Sequence, residues 1–275
     1  MTLSTIRNNP AKQKKVKTKN QKAIAATCAV AFWLLVWHVV SLCVGSELVL
    51  VSPVKVVQTL FTVIFDPNFL KTVWYSAARI LGGFFTALTL GTVLGWVASR
   101  FWVVETLLRP ITAVIKATPV ASFIILVLLW FSGKNLSVII SMLMVFPVIY
   151  MNVLEGIRSA DEKLLEMAQV FRLSVGKKLL YIYLPAVAPF FVSACSVSLG
   201  LCWKSGIAAE VIGTPDGSIG AVFYQAKIFL QTSELLAWTV VVVAVSVAFE
   251  KLFMFLLRLV LKKLKMEDVL NGKRA

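Results

Sequence analysis

Residues 155–189 read EGIRSADEKLLEMAQVFRLSVGKKLLYIYLPAVAP, the longest polar interruption in an otherwise apolar chain. Apolar runs lie on both sides of it, each near the roughly 20 residues that a helix needs to cross a bilayer. An ordered, charged segment between two such runs needs water or a soluble partner on its outer face. Its spacing predicts two short helices with a bend. Ser159 and Glu162 stand as an S-x-x-E capping box, and Asp161 adds negative charge at the positive end of the helix dipole. Leu164, Ala168 and Phe171 fall on one face, and Glu162, Glu166 and Gln169 on another. Ser174 is placed to cap the second helix, with Lys177 and Lys178 early in it, and Leu184-Pro185 closes that helix or opens the next span. An amphipathic surface loop has the same periodicity, so the helices alone assign no function.

The rest of the chain settles the class. Of 275 residues, 59% are hydrophobic, and the mean hydropathy is +0.86. Soluble domains are roughly 45–50% apolar. The expected fold is an all-α polytopic membrane protein with six transmembrane helices in one membrane domain, 23–265. A basic tail, 1–22, precedes it and a short tail, 266–275, follows. The net charge of +15 suits a nucleic-acid partner, but its distribution does not. Nineteen of the 28 Lys and Arg residues lie in 1–22, 158–178 and 251–274. A single topology puts all three segments on one side, which is the positive-inside pattern. The expected location is therefore the cell membrane, multi-pass, with both termini and the 155–185 loop cytoplasmic and no nucleic acid as partner.

The spans are expected at about 23–45, 69–99, 111–131, 136–154, 189–211 and 235–260. The first is longer than a signal-peptide core, so it reads as an anchor, and its lone His38 reads as a packed polar group. Ser52-Pro53 opens a short amphipathic helix at the outer interface, with Val54, Val57, Phe61 and Ile64 on one face. Gly91-x-x-x-Gly95 is a close-packing motif. Pro119 is expected to kink the third span after Arg109-Pro110, and Gly133-Lys134-Asn135 to form a tight outer turn. Gly213-Thr-Pro-Asp-Gly217 is a turn-rich outer loop, and a partly inserted helix follows over 218–231. Arg79, Lys204 and Glu210 are ionisable groups within spans, and such groups are candidates for a solute pathway.

Catalysis finds no constellation here. There is no G-x-x-x-x-G-K-[ST] for a nucleotide, and the one histidine has no nucleophile beside it. Cys28, Cys43, Cys195 and Cys202 lie in apolar spans without metal-ligand or disulfide spacing. The expectation is a transport subunit, not an enzyme, with no metal and no cofactor.

Glu166-x-Ala168 followed by Ile182-x-Leu184-Pro185 resembles the "EAA" cytoplasmic loop of the permease subunits of binding-protein-dependent ABC importers. Met167 replaces that family's first alanine, and Arg172 stands where its glycine belongs. Further stretches are similar to nitrate/sulfonate/taurine-type permeases: Arg79-Ile-Leu-Gly-Gly-Phe, Leu129-Trp-Phe-Ser-Gly133 and Leu201-Cys-Trp-Lys-Ser-Gly-Ile-Ala-Ala-Glu210. The likeness covers about residues 50–260. It departs at Pro119-Val-Ala-Ser-Phe123, where that group has adjacent prolines and then Ala-Trp. The resemblance implies a type I ABC importer permease for a small solute such as a sulfonate, nitrate, taurine or a vitamin precursor. It also implies cytoplasmic ATPase subunits, an extracytoplasmic solute-binding protein and a second permease copy as partners. On that reading Glu162, Glu166, Ala168, Arg172 and Leu173 carry the coupling to the ATPases. The competing readings are an ion-gradient-driven secondary transporter and a membrane scaffold.

Overall fold

The computed structural model describes residues 19–264, so the greater part of the expected basic tail and the tail at 266–275 lie outside the described residues. Every regular element among the described residues is helical. The chain divides into two compact units, Met1–Lys55 and Val56–Ala275.

In the first unit, α1 (Lys19–Val44) leads into a turn closed by the Ser41 hydroxyl, which donates to the Leu50 carbonyl at 3.1 Å. Helix α2 (Pro53–Ile64) starts at Ser52, whose oxygen accepts from the Lys55 amide at 3.4 Å. A proline at the first helical position suits this start, because its missing N–H has no helical partner to lose. Of the stripe expected to form one apolar face, Val57, Phe61 and Ile64 are exposed. The packed side carries Val63 instead, in a cluster with Ile219, Ala237, Trp238 and Val241.

The second unit is built on α3 (Phe69–Arg100), α6 (Gly133–Arg158) and α9 (Leu184–Gly213). Ile80, Phe84 and Ala87 of α3, Val145, Ile149 and Val153 of α6, and Cys195, Leu199 and Trp203 of α9 share one buried cluster. The glycine pair sets the α3–α6 distance as its spacing predicts. A Cβ at Gly91 would stand 2.9 Å from the Ile149 Cβ, and one at Gly95 3.0 Å from the Tyr150 carbonyl oxygen. Helix α10 (Ile219–Ile228) and helix α11 (Thr232–Lys263) complete the unit. Phe253 of α11 meets Phe84 edge to face at 5.3 Å.

Two expectations change. The third span is not one kinked helix over 111–131. It is α4 (Trp102–Ala117) and α5 (Val120–Trp130), bent by 109°. The cause is a pair of consecutive extended residues, Thr118 (ψ 134) and Pro119 (ψ 136). Proline disfavours helical backbone in the residue before it, and it offers no N–H to continue the ladder. Pro110, read as preceding the third span, sits inside α4. The second change is at Gly133, which opens α6 and forms no tight turn with Lys134 and Asn135; a Cβ on it would lie 2.3 Å from the Gly213 carbonyl oxygen. Among the described residues, five helices are long and apolar enough to cross a membrane, and six if the α4–α5 pair is one broken span.

Candidate functional site

The loop between α6 and α9 begins with a different cap from the one its sequence suggests. Ser159 ends α6, and its hydroxyl donates to the Gly156 carbonyl at 2.8 Å. Asp161 caps α7 (Glu162–Val170) by accepting the Lys163 amide at 2.9 Å. The capping box is therefore absent, because the chain turns two residues later than Ser159. Helix α8 (Val175–Lys178) follows from Ser174 and runs through a π-helical turn, Leu179–Tyr183, straight into α9. Leu184-Pro185 thus opens the next span, and α9 begins ahead of the expected start at 189.

The far end of α7 is built on an arginine. Arg172 has φ 47, in the left-handed region. Its amide donates to the Gln169 carbonyl at 3.0 Å, and the Leu173 amide donates to the Ala168 carbonyl at 2.9 Å. These are the two bonds of a Schellman motif, which satisfies the last carbonyls of a helix. The bend that a glycine would make is made here without one.

Ala168 is fully buried, against Ala160 and Ile182, with Leu165, Leu173 and Tyr183 packed beside them. Its small side chain lets α7 lie close on the π-helical turn, so it braces the loop from within. The predicted face of Leu164, Ala168 and Phe171 is split, since only Ala168 is buried. Glu162, Glu166 and Arg172 point to solvent, and Leu173 is half-buried. The surface of the loop is unexpectedly apolar. Met167 is 47% exposed, Val170 80%, Phe171 72% and Val175 82%. These four side chains stand exposed on an otherwise charged loop.

Of the three ionisable groups expected to share a pathway, Arg79 and Glu210 stand near enough to interact, and Lys204 does not join them. Glu210 is fully buried near the end of α9. Its Oε2 accepts the Ser76 hydroxyl at 2.6 Å and the Gly220 amide at 3.4 Å, and Ser76 in turn accepts the Ile219 amide at 2.9 Å. One carboxylate so ties α3, α9 and the first turn of α10 together. Arg79 is half-buried, with its guanidinium 4.4 Å from the centre of the Tyr75 ring. Lys204 is exposed.

Sequence reasoning passed over other charged groups. Glu105 of α4 and Arg158 of α6 form an ion pair. Glu250 of α11 accepts the Ser196 hydroxyl at 3.0 Å. Arg109 and Lys116 of α4 line one pocket. The signal for Lys116 and Glu250 was available, since each lies within an expected span. The Ser76 contact had none, because its partner is 134 positions away.

Three comparisons bear on this architecture. The profile of the family described as "Binding-protein-dependent transport system inner membrane component" matches residues 87–266. A Bacillus subtilis protein named for aliphatic sulfonates transport, the permease SsuC, is 29% identical over 216 residues, covering 78% of each chain. The taurine transport system permease protein TauC of Escherichia coli is 27% identical, over 78% of this chain and 80% of its own. The nitrate import permease protein NrtB of Synechocystis is 25% identical, over 74% and 76%. A solved amino acid ABC transporter chain superposes with a TM-score of 0.50 at 16% identity, covering 70% of this chain and 96% of that one, a likeness of fold alone. The chain belongs to the binding-protein-dependent transport system inner membrane component family, as an ABC importer permease of the nitrate/sulfonate/taurine group.

Proposed function

We propose that this chain forms the translocation path for a small solute bearing an oxyanion group, of the sulfonate, taurine or nitrate class. On this reading it works as a pair of like subunits, receives solute from an extracytoplasmic binding protein, and docks two ATPases at the α6–α9 loop, which faces the cytoplasm. The relatives' names support the solute class. The observation that carries the docking is the exposed apolar group Met167, Val170 and Phe171 on a helix held from behind by buried Ala168. A rigid knob of this kind can transmit a coupling free energy. Closure of the ATPases selects one permease state only through contacts that differ between states. Glu162 and Glu166 stand beside the apolar group as charged contacts.

The test is a gentle-detergent capture of the tagged chain from its own membranes, wild type beside Phe171→Asp. The wild type is expected to bring down an ATPase that carries a phosphate-binding loop. Phe171→Asp is expected to reach the membrane in equal amount and lose most of that ATPase, because an aspartate cannot enter an apolar cleft without a desolvation cost. Equal ATPase recovery with both chains would refute the docking face. Uptake that follows an ion gradient, with no ATPase recovered after crosslinking, would favour a secondary transporter.

A further inference from the structure

We infer that Arg109 and Lys116 of α4 form a binding site for a compact oxyanion, the charged head of the transported solute. The inference rests on the importer reading for the identity of that solute. The two residues line a pocket of about 440 Å³ with Thr112, Ala113, Ala117 and Met151. The volume accommodates a small organic anion. Lys116 lies against Met151, its Nζ 3.4 Å from the thioether sulfur, a weak acceptor that balances no charge. The Thr112 hydroxyl is spent on the Leu108 and Arg109 carbonyls, both at 3.0 Å. Glu105, on the same helix, is paired with Arg158. Among the described residues no acid pairs with Arg109 or Lys116. Two cations in one cleft without a counter-charge leave that charge to a ligand.

The position is as telling as the charge. Met151 lies seven residues before Arg158 on α6, about 10 Å in from the loop end. At about 100° per residue, Arg109, Ala113 and Lys116 share one face of α4. Val103, Leu107, Ile111 and Val114, all exposed, lie on the opposite side, and Thr112 and Ile115 are the buried positions. A lipid-facing surface is already assigned to the apolar side. The cations therefore face a separate space, their charged heads set among the apolar side chains of Ala113, Ala117 and Met151. A planar guanidinium beside an ammonium suits the oxygens of a sulfonate or nitrate, through charge-assisted hydrogen bonds. The phosphate of an anionic lipid offers the same chemistry, so the test separates the two.

Ala113 lies within the pocket and is exposed, which makes it a reporter position. Ala113→Cys is placed in a chain whose exposed Cys28 and Cys43 are replaced by serine; Cys195 and Cys202 are buried. The full chain is reconstituted in nanodiscs of phosphatidylcholine alone. It is labelled with sulfonatoethyl methanethiosulfonate, an anion, and with the trimethylammonium analogue, a cation. With each rate taken relative to that with a free thiol, the anionic reagent is expected to react about 10-fold faster than the cation, as a focused positive field dictates. Arg109→Gln with Lys116→Gln should abolish the preference, and ethanesulfonate or nitrate should slow the labelling, the stronger protector naming the headgroup. Equal relative rates, a relative preference for the cation, or no labelling by either would overturn the site. Protection by phosphatidylglycerol, with none by soluble anions, would make it a lipid site and overturn the solute assignment. None of these outcomes depends on ATPase recovery, so the importer reading fails or stands by its own experiment.

Discussion

A carboxylate buried within a span invites a functional reading, yet the contacts of Glu210 are those of a brace. Its Oε2 takes the Ser76 hydroxyl and the Gly220 amide, and Ser76 passes the link to the Ile219 amide. Gly220 packs so tightly against α9 that a Cβ there would lie 2.3 Å from the Glu210 Cβ. The carboxyl thus satisfies the open donors at the start of α10, which a helix cannot satisfy for itself. Glu210→Gln retains an acceptor oxygen for both donors, and its thermal stability in detergent is expected to stay close to wild type. Glu210→Leu leaves the Ser76 hydroxyl and the Gly220 amide without an acceptor. Each orphaned donor costs about 1–3 kcal/mol, so a clear drop in the aggregation temperature is expected. Equal stability of the glutamine and leucine variants would show that the carboxyl braces nothing. Ser137 of α6 also stands beside the Glu210 carboxyl, so the network reaches a third long helix.

At the scale of elements, the end of α7 shows a sequence rule broken and the structure kept. The family's glycine position holds Arg172 at φ 47, yet both Schellman bonds form. Left-handed backbone costs a residue with a Cβ roughly 1–2 kcal/mol. Arg172→Gly removes that strain, while glycine's greater freedom in the unfolded chain returns roughly 0.5–1 kcal/mol of the gain. The net is a modest stabilisation, seen as slower hydrogen exchange of the peptide containing the Leu173 amide. Unchanged or faster exchange would mean that the arginine side chain stabilises the bend in a way its exposed position does not suggest. The same element shows what the sequence could carry. The two-helix loop and the close-packing role of Gly91 and Gly95 were legible, because periodicity and residue size act locally. The break at Thr118–Pro119 was read only as a kink. Pro110, Pro147 and Pro189 all lie inside helices that continue. Which proline breaks a helix depends on the backbone of its predecessor and on the packing of distant segments. Neither can be read from the dipeptide. The site was less legible than the fold. Glu166 and Ala168 were both read as partner contacts, but which of them faces out depends on Ile182 and Ala160 closing over Ala168.

For the whole molecule, the broken pair decides the topology. Helix α4 is about 24 Å long and α5 about 16 Å, so neither alone spans a hydrocarbon core of roughly 30 Å. If the pair crosses once, the chain crosses six times and its two ends lie on the same side. If it dips in and returns, there are five crossings and the ends lie on opposite sides. The charge distribution favours six, because only then do the Lys and Arg clusters of 1–22, 158–178 and 251–274 share one face. The pair also begins beside the loop end of α6, through Glu105 and Arg158, and finishes three residues before α6 opens at Gly133. Since α6 is itself long enough to cross, a pair that connects its two ends must cross too. Fusions to alkaline phosphatase, which is active only outside the cytoplasm, test this directly. A fusion after Asp216 is expected to be active and one after the last residue inactive, while green fluorescent protein at the last residue should fluoresce. With residues 1–22 on the cytoplasmic side, an active phosphatase at the C-terminus would give an odd number of crossings. It would make α4 and α5 a re-entrant hairpin, and would separate the 251–274 cluster from the other two across the bilayer.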